Sequence, residues 1–378
     1  MIPNSTMKVV LVCGARPNFM KVARLMRAIV EHNISAKKNR IVPVLVHTGQ
    51  HYNYEMSKIF FEDLELPEPE FHLAIGSGTH AEQTGRVMIA FEQVLHKEQP
   101  DLVIVVGDVN STLAAAIVAS KLHIKVGHVE AGLRSYDKNM PEEINRLLTD
   151  HVSSYLFTPS HDADENLKRE GITEDKIFFV GNIMIDSLLS HKEIASQRQI
   201  LSQLGLEKEG YALLTLHRPD NVDERGNLLK IIKASREISQ RIPIVFPTHP
   251  RTHKRMEEFD LLNQLPLHNR RLLVTEPLGY LDFLNLEMNS KFVMTDSGGI
   301  QTESTILSVP CLTLYHATCW IDTITEGTNT LVNVETSKII AEAFKILDGK
   351  GKKGSCPELW DGKTAERIVR VLTSHTNL

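Results

Sequence analysis

The chain lacks most of the features that advertise a chemistry at once. Its four cysteines, at positions 13, 311, 319 and 356, include no Cys-x-x-Cys pair, so neither a disulfide framework nor a thiolate metal site is indicated. Reduced thiols in a cytoplasmic protein are the expectation. No apolar run is long enough for a signal peptide or a membrane span, and Met1 to Thr6 is short and polar. Basic charge is not in excess. The formal net charge of −5 argues against nucleic acid or an anionic membrane as partner. Nor do His217 and His249 stand at metal-ligand spacing from any cysteine or aspartate, so no metal is expected. With 42% hydrophobic and 24% charged residues, the 378 residues suffice for two ordinary domains without long disorder.

What is present is a regular alternation of apolar runs and helical patterns. Strands are expected at 9–12, 41–47, 102–106, 126–129, 155–157 and 178–182, with helices between them, among them Tyr54–Leu64, Ala81–His96 and Leu113–Lys121. Continuous apolar strands alternating with helices indicate a parallel sheet covered on both faces. After a polar helical stretch, His191–Lys208, read as a bridge, the pattern restarts at 212–216, 244–246, 272–274, 292–295 and 311–314. The expectation is α/β: two doubly wound, Rossmann-like domains facing a cleft, over 1–190 and 191–362. A terminal helix within 363–378 is expected to pack back on the first domain. Ligands of such sheets sit at the carboxyl ends of the strands.

The strand-end residues are therefore the candidates. Thr295-Asp296-Ser297-Gly298-Gly299-Ile300-Gln301 follows an apolar strand and opens a helix. Backbone N–H groups and a positive helix end then surround one point, an arrangement that binds a diphosphate. No nicotinamide fingerprint accompanies it. Arg16 and Lys21 follow the first strand, where two cations suit a diphosphate leaving group or, more plainly, an exposed turn. Asp108 is a helix cap or a carboxylate in the cleft, and Glu130 ends the next strand in the same way. Glu142 begins a Pro-initiated helix, where an acid also complements the dipole. His217 and Arg218 end the first strand of the second half, and Thr248-His249-Pro250-Arg251 repeats that pattern one unit later. Glu303 sits where it could accept from ribose hydroxyls or stabilise its own helix.

Taken in order, the blocks GARPNFMK, TGQHYNYEM, GDVNST, HVEAGLR, MPEEINR, GNIMID, LTLHRPDN, THPR, TDSGGIQTE and EGTN resemble the non-hydrolysing UDP-N-acetylglucosamine 2-epimerases. The resemblance runs from Gly14 to about Val332. It implies a glycosyltransferase-B-type fold, a homodimer, no cofactor, and interconversion of UDP-GlcNAc and UDP-ManNAc. The implied route eliminates UDP to 2-acetamidoglucal and adds it back on the other face. Asp108, Glu130, Glu142 and His217 match the family's catalytic positions. Arg16, Lys21, Arg218, His249, Ser297, Gly298, Gly299 and Glu303, with Phe283 of the 277–283 loop against uracil, are the implied UDP-binding set. Asn18, Asp220 and Thr302 depart from the family pattern, and Trp320 stands where an arginine is usual. A 2,3-diacetamido or uronic acid UDP-sugar is accordingly the alternative substrate. A glycosyltransferase or a non-catalytic UDP-sugar sensor is the alternative function.

Overall fold

The computed structural model describes residues 6–36, 38–49, 66–262 and 271–374, apart from the side chains of Arg16 and Pro17. The expected helix Tyr54–Leu64 and most of the block containing Gln50 and His51 lie outside the described residues. The chain divides into two compact units, Met1–Ser187 with Glu358–Leu378, and Leu188–Pro357.

The first unit is built on strands β1 (Thr6–Cys13), β2 (Arg40–His47), β3 (Phe71–His72), β4 (Leu102–Val106), β5 (Lys125–Val129), β6 (Tyr155–Thr158) and β7 (Ile177–Phe179). They form one sheet in the order β3-β2-β1-β4-β5-β6-β7, with every pairing parallel. Alternate residues of β1 feed two cores. Val9 and Leu11 pack with residues of the helices Arg16–Ser35 and Thr364–Ser374, and Val10 and Val12 with residues of His80–Glu98 and Asn110–Lys121. That two-sided burial is why the strand reads as an unbroken apolar run. The winding reverses between β1 and β4, which puts a topological switch point beside Gly14 and Gly107.

The C-terminal helix is integral to this unit. Ile368, Val369 and Leu372 lie in the same core as Val9 and Leu11. Asp186 accepts the first N–H groups of that helix, Thr364 at 3.1 Å and Ala365 at 2.8 Å. The buried Trp360 indole donates to Pro159 O at 2.9 Å.

The second unit carries β8 (Ala212–Thr215), β9 (Ile244–Pro247), β10 (Leu272–Thr275), β11 (Phe292–Thr295), β12 (Cys311–Thr313) and β13 (Asn329–Leu331). Their order is β10-β9-β8-β11-β12-β13, again parallel throughout. The reversal falls between β8 and β11, where Thr215 and Thr295 stand opposite with their hydroxyls 2.7 Å apart. The short β3 and β13 were not expected from sequence, and β7 ends before Gly181.

The supposed bridge His191–Lys208 differs from its reading. It is part of the helix Ile183–Ser196 and of a separate short helix, Ile200–Leu204. Ala195 and Ile200 are buried, Asn285 donates to Ala195 O at 2.7 Å, and Arg198 forks onto Asp282 at 2.7 and 2.9 Å. The segment is packed within the second unit.

Candidate active site

In the first unit three strand ends converge. Gly107, with φ +70°, turns the chain after β4. A Cβ there would lie 3.4–3.5 Å from Asn18 Nδ2, Glu130 Oε2 and Lys21 Nζ. Asn18 ties the turn after β1 to β4, accepting from Ala15 N–H at 3.1 Å and donating to Val106 O at 2.7 Å. Lys21 and Glu130, both buried, form an ion pair. The other carboxylate oxygen of Glu130, Oε1, is buried and has no hydrogen-bond partner among the described residues. Glu130 itself adopts φ +72°, an uncommon conformation for a residue with a side chain and one that collects at functional positions. The following turn needs Gly132, because a Cβ at its φ of +80° would sit 2.4 Å from Ala163 O.

Asp108 is organised by a residue to which the sequence reading gave no role. Arg146, on the helix Pro141–Val152, donates to Asp108 Oδ2 from Nε at 3.0 Å and from Nη2 at 2.6 Å. Its Nη1 donates to the buried Glu143 at 2.8 Å. Asn145 adds a bond to Asp108 O at 2.8 Å. Burial works to raise the Asp108 pKa, but the charges of Arg146 and Lys21 outweigh it and hold the carboxyl below its ordinary value. Glu142 is half-buried and has no hydrogen-bond partner among the described residues, so it stands apart from this network. The fully buried His128 joins Asp150 at 2.6 Å and Gly107 O at 2.8 Å. Arg134 holds the other Asp150 oxygen at 2.7 Å. Arg16 opens the helix after β1, and its side chain lies outside the described residues.

In the second unit the organising residue is Asp296, fully buried at the end of β11. It accepts His217 Nδ1 at 2.8 Å, the N–H groups of His217 at 3.1 Å and Arg218 at 3.0 Å, and Asn221 Nδ2 at 3.0 Å. Burial alone would raise its pKa, yet the hydrogen bond and charge of His217 lead a set of donors that lowers it. The His217 ring is half exposed. With Nδ1 engaged by a carboxylate, its Nε2 is the atom left for a substrate. Arg218 donates from Nε to Asp296 O at 2.8 Å, and its guanidinium lies 4.2 Å over the Tyr315 ring.

Ser297 caps the helix Gly298–Leu307. Its own N–H is engaged by Thr295 Oγ1 at 3.0 Å, which leaves the Gly298, Gly299 and Ile300 N–H groups as the anion donors of that turn. Gly298 packs closely under Trp320, and a Cβ there would lie 3.0 Å from the indole Nε1, so the ring would have to shift. His249 is exposed at the start of the helix Pro250–Glu258, its Nδ1 accepting from Arg251 N–H at 3.2 Å. Phe283 is placed on the helix Tyr280–Asn289 and not in a loop, half-buried against the cluster that includes Leu286 and Val293. Glu303 is buried and accepts from the Tyr280 hydroxyl at 3.1 Å. Burial raises its pKa to about 7, with the Tyr280 hydrogen bond opposing. No cluster of three potential metal ligands occurs among the described residues.

The family model for UDP-N-acetylglucosamine 2-epimerase matches residues 33–373. This chain belongs to that family. A UDP-N-acetylglucosamine 2-epimerase of Methanocaldococcus jannaschii is 48% identical over 97% of this chain and 99% of its own length. The crystal structure of the M. jannaschii UDP-GlcNAc 2-epimerase in complex with UDP-GlcNAc and UDP has a TM-score of 0.87, covering 97% of this chain and 100% of that one at 47% identity. A UDP-2,3-diacetamido-2,3-dideoxy-D-glucuronate 2-epimerase of Pseudomonas aeruginosa is 40% identical over 97% of this chain and 99% of its own length. The two wound sheets are those of the glycosyltransferase-B-type epimerase fold. Among the described residues no helix is long and apolar enough to cross a membrane.

Sequence reasoning did not single out Arg146, the His128–Asp150 pair, or the role of Asp296 toward His217. Arg146, His128 and Asp296 all stand inside quoted blocks, so their positions were in view while their pairings were not.

Proposed function

We propose that this epimerase-family protein interconverts UDP-GlcNAc and UDP-ManNAc without releasing free sugar, acting as a cytoplasmic homodimer that needs no metal or redox cofactor. The C2 proton of the sugar is barely acidic, because no carbonyl adjoins it. Breaking the anomeric C–O bond first, with the electron pair leaving on UDP, makes C1 cationic and C2–H acidic. Loss of that proton gives 2-acetamidoglucal. Return of UDP to C1 and of a proton to the opposite face of C2 completes the exchange.

The observation that carries this reading is the pair of strand-end carboxylates, each with its own cation. Asp108 is held ionised by Arg146, which suits it to accept a proton or to stabilise charge at C1. Glu130 is fixed through one oxygen by Lys21 and keeps the other unengaged. His217, oriented by Asp296, is assigned to proton transfer, and Glu142 joins these three as the fourth catalytic candidate. Arg16, Lys21, Arg218, His249 and the Ser297–Gly299 turn are assigned to the diphosphate, Phe283 to uracil and Glu303 to ribose.

The 40% identity to the P. aeruginosa enzyme supports a second reading, in which the sugar is a 2,3-diacetamido uronate. Incubation in heavy water with each UDP-sugar separately tests both readings. The substrate should gain deuterium at C2 in both epimers with no acceptor added. Exchange with neither sugar rejects an epimerase, and an absolute acceptor requirement points to glycosyl transfer.

A further inference from the structure

His128 has no part in the chemistry above, yet it is bonded to the turn that carries Asp108. It lies on β5 and is fully buried. Its Nδ1 is 2.6 Å from Asp150 Oδ1, and its Nε2 is 2.8 Å from Gly107 O, the carbonyl that leads into Asp108. Asp150 comes from the helix Pro141–Val152, which also carries Glu143, Asn145 and Arg146. The histidine therefore bridges the turn that presents Asp108 and the helix that supplies its arginine.

A neutral imidazole donates from one nitrogen and accepts at the other. His128 has nothing to accept. The peptide carbonyl of Gly107 carries no proton. The second oxygen of Asp150 is held by Arg134 at 2.7 Å and by Gly132 N–H at 3.1 Å, donors that keep the group a carboxylate. Burial pushes the Asp150 pKa up, but the charges and hydrogen bonds of His128 and Arg134 prevail and lower it. Both nitrogens of His128 must then donate, so the ring is an imidazolium. Its charge is balanced, as a buried charge has to be. Asp150 faces it, and Arg134 is matched in turn by Glu170, to which it donates at 2.8 and 2.7 Å.

The other charged groups around the turn are Lys21 with Glu130 and Arg146 with Glu143. The helix Asn110–Lys121, packed on β5, has no charged residue before Lys121 at its end. Among the described residues Asp150 is the one acid bonded to His128. The imidazolium charge also reaches Asp108. Burial raises the Asp108 pKa, and Arg146, Lys21 and then His128 lower it.

We propose that His128 is a positioning residue for catalysis, a permanent imidazolium that locks the Gly107–Asp108 turn to the helix Pro141–Val152 and holds Asp108 ionised and in place. This rests on the assignment of Asp108 to proton transfer or charge stabilisation. A buried histidine with a purely structural role would leave the ionisation of Asp108 unchanged.

The test has two arms, both on the full-length protein. With isotopically labelled histidine, nitrogen magnetic resonance reads the protonation of each ring. At pH about 8, where an ordinary histidine is neutral, one slowly exchanging imidazole should keep both nitrogens protonated. That signal should persist in His217→Gln and vanish in His128→Gln. Its absence from the parent overturns the proposal without any substitution of His128.

The second arm is kcat against pH for C2 deuterium exchange on UDP-GlcNAc, beside UDP binding, in the parent, His128→Gln and Asp108→Asn. Glutamine retains a donor but no charge. In His128→Gln kcat should fall on the order of 10²-fold, as for a misplaced reacting group, with UDP binding unchanged. The acid limb of the profile should move to higher pH, because Asp108 becomes easier to protonate. Parent-like kcat, or a fall with the limb unmoved, beside an impaired Asp108→Asn, overturns the proposal alone. Parent-like exchange by Asp108→Asn overturns the assignment of Asp108 and the proposal with it.

Discussion

Asp296 and His217 are joined twice, once through the imidazole Nδ1 at 2.8 Å and once through the backbone N–H at 3.1 Å. The same carboxylate also receives Arg218 N–H. One buried acid at the end of β11 therefore sets the direction of the histidine at the end of β8. The two strands adjoin only because the winding reverses between them.

Replacing Asp296 by asparagine keeps the shape and removes the charge that fixes the His217 tautomer. We expect turnover to fall ~10²-fold or more, as for a misoriented general acid or base, while UDP affinity changes little. Steady-state kinetics beside calorimetric titration of UDP separates the two effects. A loss confined to UDP binding would assign Asp296 to the phosphate turn instead.

Asp108→Asn and Glu130→Gln should each slow C2 deuterium exchange by ~10²-fold or more with the nucleotide still bound. Normal exchange in either variant removes that residue from proton transfer.

Arg146→Ala is predicted to be costly in a different way. It strands the buried Glu143 and unpairs Asp108, so a loss of about 3 kcal/mol in stability is expected, measurable by urea denaturation. A drop well under 1 kcal/mol would mean that the Glu143 contacts from Ser135 and Tyr136, at 2.9–3.0 Å, suffice alone.

Acid sensitivity follows from the depressed carboxylates. In Asp108, Glu143, Asp150 and Asp296 burial acts upward, but nearby cations and hydrogen-bond donors prevail and lower each pKa. Their contribution is complete above the ordinary carboxylate value of about 4 and is lost as pH falls through the folded-state values. Glu303, raised to about 7, has the opposite sign, and its contribution is lost as pH rises through that value. The Tm of the parent should fall steeply below pH about 4 and decline gently across neutrality. Glu303→Gln should flatten only the neutral slope; an unchanged slope there would place its ionisation elsewhere.

The strands that carry the site were legible because two-sided burial leaves an unbroken apolar run, and a turn residue after such a run marks the carboxyl edge. Asp108, Glu130, His217 and Ser297 were placed just beyond strand ends in that way, where the structure also has them. Their partners were not, because a sequence does not say which cation crosses to which acid. Lys21 and Glu130 are 109 residues apart, and Arg146 and Asp108 are 38 apart. The stretch 191–208 was misread because its buried residues, Ala195 and Ile200, are few and fall on two helices. Phe283 was assigned to a loop because the Pro-Leu-Gly before Tyr280 reads as turn, whereas Gly279 is the N-cap of a helix.

The return of the chain at Glu358 sets an order of events during synthesis. The sheet of the first unit is complete by Phe179, but Ile368, Val369 and Leu372 of its core come from the last helix. The unit made of Leu188–Pro357 is continuous and has all its residues while the chain is still being extended. The unit begun first on the ribosome is therefore closed last, after the final turn of helix has emerged.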